Sequence, residues 1–146
     1  MSSVRIGGEL AEFIVLTVKG RERPDSTDYW DANWLACSVE VAAGAFRGCH
    51  DSSIRTEELE QFYQQVGGLN ERLVGQAELA TMEGWLVIRL IGDGRGHVEV
   101  TCRLCDDPAS GNTLECRLSV DQTFLPPLLH QLATVMRVYP VVNRQA

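Results

Sequence analysis

The chain predicts an α+β domain: a largely antiparallel, curved or two-layered β-sheet of about seven strands with two packed α-helices. Three observations lead there. Apolar residues alternate with period two over most of the sequence, helical spacing takes over in only two stretches, and the strand-like segments follow one another across turn residues. At 146 residues the chain is long enough to bury a sizeable core, and it reads as one domain over 1–146.

Residues 9–19 place Phe13 and Val15 on one parity and Ile14, Leu16 and Val18 on the other, as in a strand covered on both faces near its middle. Residues 21–27, with Pro24, Asp25 and Ser26, have loop chemistry. Leu35, Cys37, Val39 and Val41 then alternate with Ala36, Ser38 and Glu40, the pattern of a half-buried strand. Ala43-Gly44 marks a turn, and a weaker strand continues through Phe46, Gly48, His50 and Ser52. Leu59, Phe62, Tyr63 and Val66 fall on one helical stripe. Thr56 is the expected N-cap, Glu57 and Glu58 suit the positive end of the helix dipole, and Gly67-Gly68 is the expected stop.

Four strands are predicted next, at about 73–82, 84–92, 97–105 and 113–121. Gly92-Asp93-Gly94-Arg95-Gly96 joins the second and third as a hairpin turn, and residues 106–112, with Pro108 and Gly111, join the third and fourth. Those last two strands each have one wet and one dry face, as in an antiparallel meander. A final helix opens near Thr123, tolerates Pro126 and Pro127 in its first turn, and ends before Pro140. Its apolar stripe runs from Leu125 through Leu128, Leu132 and Val135 to Tyr139.

Composition narrows the function. The formal net charge of −7 argues against nucleic acid and against anionic membranes, both of which call for a basic stripe, and it suits a basic protein partner. The longest apolar runs are too short to span a bilayer, and residues 1–9 have no apolar segment of signal-peptide type, so a cytoplasmic protein is expected. Five cysteines, Cys37, Cys49, Cys102, Cys105 and Cys116, are an odd number spread through strand-like segments, which reads as reduced thiols serving as small hydrophobes.

Catalytic signatures are sparse. Cys102-Arg103-Leu104-Cys105 is formally a Cys-x-x-Cys pair, but strand parity puts its thiols on opposite faces unless the strand ends between them. A metal- or thiol-dependent module built from Cys102, Cys105, Cys116 and His97 is the second functional reading. His50, His97 and His130 accompany no nucleophile motif; His130 falls on an exposed helix face, and His97 can pair locally with Asp93. The 93–96 glycine turn lacks the lysine and following helix of a phosphate loop, although Arg95 at its tip is a candidate contact. No cofactor, metal or catalytic residue is assigned.

The richest stretch is Asp28-Tyr29-Trp30-Asp31-Ala32-Asn33-Trp34-Leu35, with three large rings and two carboxylates in eight residues. The rings either close one end of the core or anchor a partner, and Trp34, at the start of a strand, is assigned to structure. Asp28 and Asp31 either bond the local backbone or face solvent for a cationic partner. The candidate contact residues are therefore Asp28, Tyr29, Trp30 and Asp31, joined by Glu57, Glu58 and Glu60 of the first helix and by Arg95.

Three motifs together, Asp-Tyr-Trp-Asp-x-Asn-Trp-Leu at 28–35, Asp-Gly-Arg-Gly-His at 93–97 and Asp-Gln-Thr-Phe-Leu-Pro at 121–126, resemble the WapI-type immunity proteins. The resemblance covers most of the chain. It implies a small bacterial cytoplasmic protein that accompanies a polymorphic or contact-dependent toxin and binds the C-terminal toxic domain of a secreted effector. Members of that kind paired with RNA-cleaving toxins work by occlusion, without catalysis. Carboxylates standing where phosphates would lie, Asp28, Asp31, Glu57, Glu58 and Glu60 among them, would suit a basic RNA-binding cleft.

Overall fold

Alternating burial builds two antiparallel meanders of four strands each, β1-β2-β3-β4 and β5-β6-β7-β8, in an α+β fold. The computed structural model describes residues 2–8 and 11–144. The first sheet comprises β1 (Ser2–Gly7), β2 (Phe13–Arg21), β3 (Trp34–Ala43) and β4 (Phe46–Arg55), with a four-residue helix α1 (Tyr29–Ala32) between β2 and β3. Helix α2 (Thr56–Arg72) leads to the second sheet, β5 (Val74–Ala80), β6 (Leu86–Asp93), β7 (His97–Cys105) and β8 (Thr113–Asp121). A short 3-10 turn (Gln122–Phe124) then opens α3 (Leu125–Val138).

One apolar core holds the layers together. Leu16, Val39 and Ile54 of the first sheet, Ile88, Val100 and Leu118 of the second, and Leu59, Phe62, Leu128 and Leu132 of the helices belong to one buried cluster. The first strand of each sheet is covered by a helix, which keeps its outer edge from pairing with another chain. On β1 the Arg5 N–H donates to Oε1 of Gln131 in α3 at 2.7 Å; on β5 the Glu78 N–H donates to Oε1 of Gln65 in α2 at 2.8 Å. Where β4 approaches the second sheet there is no room for a side chain: a Cβ on Gly48 would come within 2.8 Å of Leu114 and 3.2 Å of Leu104. The Trp85 indole closes this junction by donating to the Ser53 carbonyl at 2.8 Å and packing edge-on to His50.

The predicted α+β class and antiparallel strands are present, with eight strands among the described residues; the one outside the segments read from the sequence is β1, whose only buried side chains are Val4 and Ile6. Several local expectations need correction. The predicted strand over 9–19 begins at Phe13 and continues to Arg21; its first two residues, Glu9 and Leu10, lie outside the described residues. Thr56 is the first residue of α2, and Arg55 occupies the cap position. Gly67 and Gly68 do not stop that helix, because its stripe continues to Leu69, and Leu73 ends it in the left-handed region at φ 62. The final helix, with Pro126 and Pro127 in its first turn, follows the sequence pattern. No helix among the described residues is long and apolar enough to cross a membrane.

Gly67 therefore sits inside a helix with open space where a Cβ would stand. Gly67→Ala should raise the free energy of unfolding by up to about 1 kcal/mol, through helix propensity and a less flexible unfolded chain. A higher urea midpoint at unchanged slope is the expected result.

Candidate functional site

The 28–35 stretch is organised by a buried arginine and a buried asparagine, Arg55 at 2% and Asn33 at 0% exposure. Asp28 caps α1 by accepting from the Trp30 N–H at 3.2 Å. Asn33, just past α1, donates its amide to the carbonyls of Tyr29 at 2.8 Å and Val142 at 2.9 Å, and accepts from the Val142 N–H at 2.9 Å. Its own carbonyl accepts the Thr56 N–H at 3.1 Å. One side chain and its backbone thus join α1, the start of α2 and the segment after α3.

Arg55 ends β4 directly opposite Trp34 in register. Its guanidinium lies 5.5 Å from the ring centre of Tyr29, 4.9 Å from that of Trp30 and 5.1 Å from that of Trp34, a cation enclosed by three aromatic faces. It donates to the carbonyls of Trp30 and Tyr29 and to Glu57 Oε2 at 3.0 Å. Glu57 also accepts the Tyr29 hydroxyl. At the helix start, Glu58 Oε1 accepts the Arg55 N–H at 2.8 Å, the half of a capping box that a carboxylate at the third position supplies.

The two neighbouring carboxyls titrate in opposite directions. Burial opposes the charge of Glu57, but hydrogen bonds from Tyr29 and Arg55 outweigh it and hold the carboxyl below its ordinary value. Burial dominates at Glu58 and pushes it up, against backbone bonds from Arg55 and Met82. The hydrogen bond to Glu57 raises the Tyr29 hydroxyl.

Seven of the eight predicted contact residues converge at this end of α2. Asp31 lies 3.9 Å from Arg23, and Glu60 pairs with Arg144 at 3.0 Å. Tyr29, Glu57 and Glu58 spend their polar groups inside the fold, whereas Trp30 is 54% exposed and Asp28 is exposed beside it. Arg95 stands apart in the β6–β7 turn, where Asp93 accepts the N–H groups of Arg95 and His97, and that turn meets the far end of α2 through the Gly94 N–H on Leu73. A 17-residue helix, roughly 25 Å long, separates the two ends. The cysteines do not gather. Cys102 and Cys116 are register partners, while Cys105, on the other parity, is buried at the strand end with its thiol on the Asp107 carbonyl at 3.2 Å. His97 begins the same strand, roughly 17 Å from Cys102. Among the described residues no three His, Cys, Asp or Glu side chains are grouped to hold a metal ion.

Arg55 and Asn33 organise the site, yet sequence reasoning gave neither of them a role. The available signals were the Arg55-x-x-Glu58 spacing at a helix start and three clustered rings with no cation assigned to them.

A small α+β scaffold that holds an exposed tryptophan in an acidic setting has the features of a recognition protein. Residues 5–140 match the Immunity protein WapI-like family, and the chain belongs to that family. Membership implies a toxin as its protein partner. No curated protein matches the chain.

Two predictions follow from the Arg55 cluster. Arg55→Met should destabilise the fold by about 3 kcal/mol, because it leaves half-buried Glu57 without its cation and two carbonyls without a donor; chemical denaturation measures this. The pH dependence should split between the two carboxyls. With its folded pKa depressed, Glu57 adds stability above the unfolded value of 4.5 that is lost as pH falls through the folded value, so wild type should gain on Glu57→Gln as pH rises through that range. With its folded pKa raised, Glu58 adds stability below 4.5 that is lost as pH rises through the folded value, so Glu58→Gln should gain on wild type toward neutrality.

Proposed function

We propose that this protein acts in the cytoplasm as the antidote to the C-terminal toxic domain of a secreted effector, and that it neutralises that domain by occlusion. The observation that carries this reading is Trp30, more than half exposed although its backbone carbonyl is held by buried Arg55. A rigid, amphipathic ring at the centre of a polar rim is the usual form of an interface anchor. Asp28 and Asp31 flank Trp30 along the chain and Glu60 on α2 adds to the acidic side of the proposed contact, Asp31 and Glu60 being paired with the exposed arginines Arg23 and Arg144. Arg95, at the other end of α2, is left out of the proposed contact.

The charge of this acidic side suits a toxin with a basic cleft, such as an RNA-cleaving nuclease, and the net charge of −7 would steer the encounter. Occlusion needs shape and charge on the antidote and no reacting group.

Co-expression with the C-terminal domain of a secreted toxin encoded immediately upstream should rescue growth and yield a co-purifying complex. In that complex Trp30→Ala should weaken binding by roughly 30- to 150-fold, the loss of about 2–3 kcal/mol typical of a central aromatic anchor. Asp31→Asn with Glu60→Gln should mainly slow association and flatten its salt dependence. Unchanged affinity and unchanged salt dependence in these variants would remove the proposed contact.

A further inference from the structure

Cys102 on β7 and Cys116 on β8 stand directly opposite each other in register. Directly opposed residues of an antiparallel pair have Cα atoms roughly 4.5–5.5 Å apart and side chains on one face. A disulfide spans roughly 4.4–6.8 Å between Cα atoms. The backbone therefore already holds these two thiols where a bond between them can form. Their shared face is the inward one, with Cys102 in the buried core and Cys116 packed against it. The Cys116 Sγ lies 3.9 Å from the Cys102 carbonyl.

The two thiols are unequal. β8 is the last strand of its sheet, and of its inward side chains, Leu114, Cys116, Leu118 and Val120, only Leu118 is buried. Cys116 is thus reached from the sheet edge, whereas Cys102 is 2% exposed. A hydrogen bond from the Cys102 thiol holds the Cys116 thiol below its ordinary value, and the same bond, with burial, pushes Cys102 up. The more accessible sulfur is the one that ionises first, and the thiolate is the attacking form. The other cysteines are placed differently. Cys105 has the opposite parity and turns its thiol to the Asp107 carbonyl, Cys37 is buried in the first sheet, and Cys49 is exposed on β4.

We propose that Cys102 and Cys116 form a reversible disulfide that fastens β8 to β7 when the protein meets a low-molecular-weight disulfide such as oxidised glutathione. The Cys116 thiolate attacks one sulfur of the oxidant, whose S–S bond breaks and whose other half leaves as a thiolate. The Cys102 thiol then gives up its proton and attacks the Cys116 Sγ, expelling the second glutathione. Two protein thiols are oxidised and one disulfide is reduced to two thiols, so atoms and electrons balance. The new bond closes residues 103–115 into a loop, which restricts the unfolded chain and secures the least covered strand of the second sheet. In a reducing compartment such a bond is transient, made under oxidation and undone by thiols. The proposal is independent of the Trp30 contact.

The test uses the full chain carrying Cys49→Ser, which removes the exposed thiol of β4. The folded protein is treated with oxidised glutathione, then denatured and alkylated, and its intact mass and peptide map are read. The chain should lose two hydrogens and retain no glutathione, with one link between Cys102 and Cys116 and with Cys37 and Cys105 alkylated. The oxidised chain should unfold at a higher urea midpoint than the reduced chain, and dithiothreitol should reverse the shift. Cys102→Ser should stop the reaction halfway, with one glutathione held on Cys116, whereas Cys116→Ser should leave Cys102 without glutathione. A link through Cys37 or Cys105, full alkylation of Cys102 and Cys116 after oxidation, or a midpoint that does not rise would each overturn the proposal. So would glutathione retained on Cys102 in the Cys116→Ser chain.

Discussion

Much of the structure depends on one buried cation. Arg55 stands where β4 becomes α2, and an arginine there would be costly to bury if its charge and donors were not met. They are met by Glu57, by the carbonyls of α1 and by the faces of Tyr29, Trp30 and Trp34. These groups come from two separated parts of the sequence, residues 29–34 and Glu57, so satisfying one side chain fixes α1 over the sheet, sets where α2 starts and gives the aromatic stretch its shape. A hydrophobic residue could fill the volume. It could not fix where those carbonyls and carboxylates sit.

The remainder of the fold is a platform for that corner. Two four-stranded meanders need their edges covered and their inner faces filled, and α2 and α3 do both while adding side chains to a common core. Trp30 is outside the buried core cluster: one face of its ring meets Arg55 and more than half of the residue is exposed.

The sequence was most legible where one physical signal dominated. Alternation over 97–105 and 113–121 marked β7 and β8 to the residue, and the stripe from Leu125 marked α3 despite two prolines. It was least legible where local propensity and tertiary packing disagree. Gly67-Gly68 reads as a stop, yet packing of Leu69 carries the helix another turn to an unfavourable left-handed leucine. At the site, the charged and aromatic composition marked the stretch that the structure folds around Arg55. The division into exposed Trp30 and inward-turned Tyr29, Glu57 and Glu58 was hidden, because it depends on Arg55, which β4 brings to the rings from 25 residues along the chain. Arg95 looked equivalent only because sequence spacing does not reveal which end of α2 a turn meets.

Asn33 has a dynamic consequence. Its amide holds the backbone of Val142 on both sides, and Arg21 reaches the Pro140 carbonyl nearby, so the segment after α3 is sewn to the base of α1. Peeling that segment away leaves the oxygen of a fully buried amide without its donor and its nitrogen with the Tyr29 carbonyl alone, which makes a gradual fraying expensive. The segment and α1 should therefore open together, and amide exchange at Val142 would report on the integrity of α1 from more than a hundred residues away along the chain.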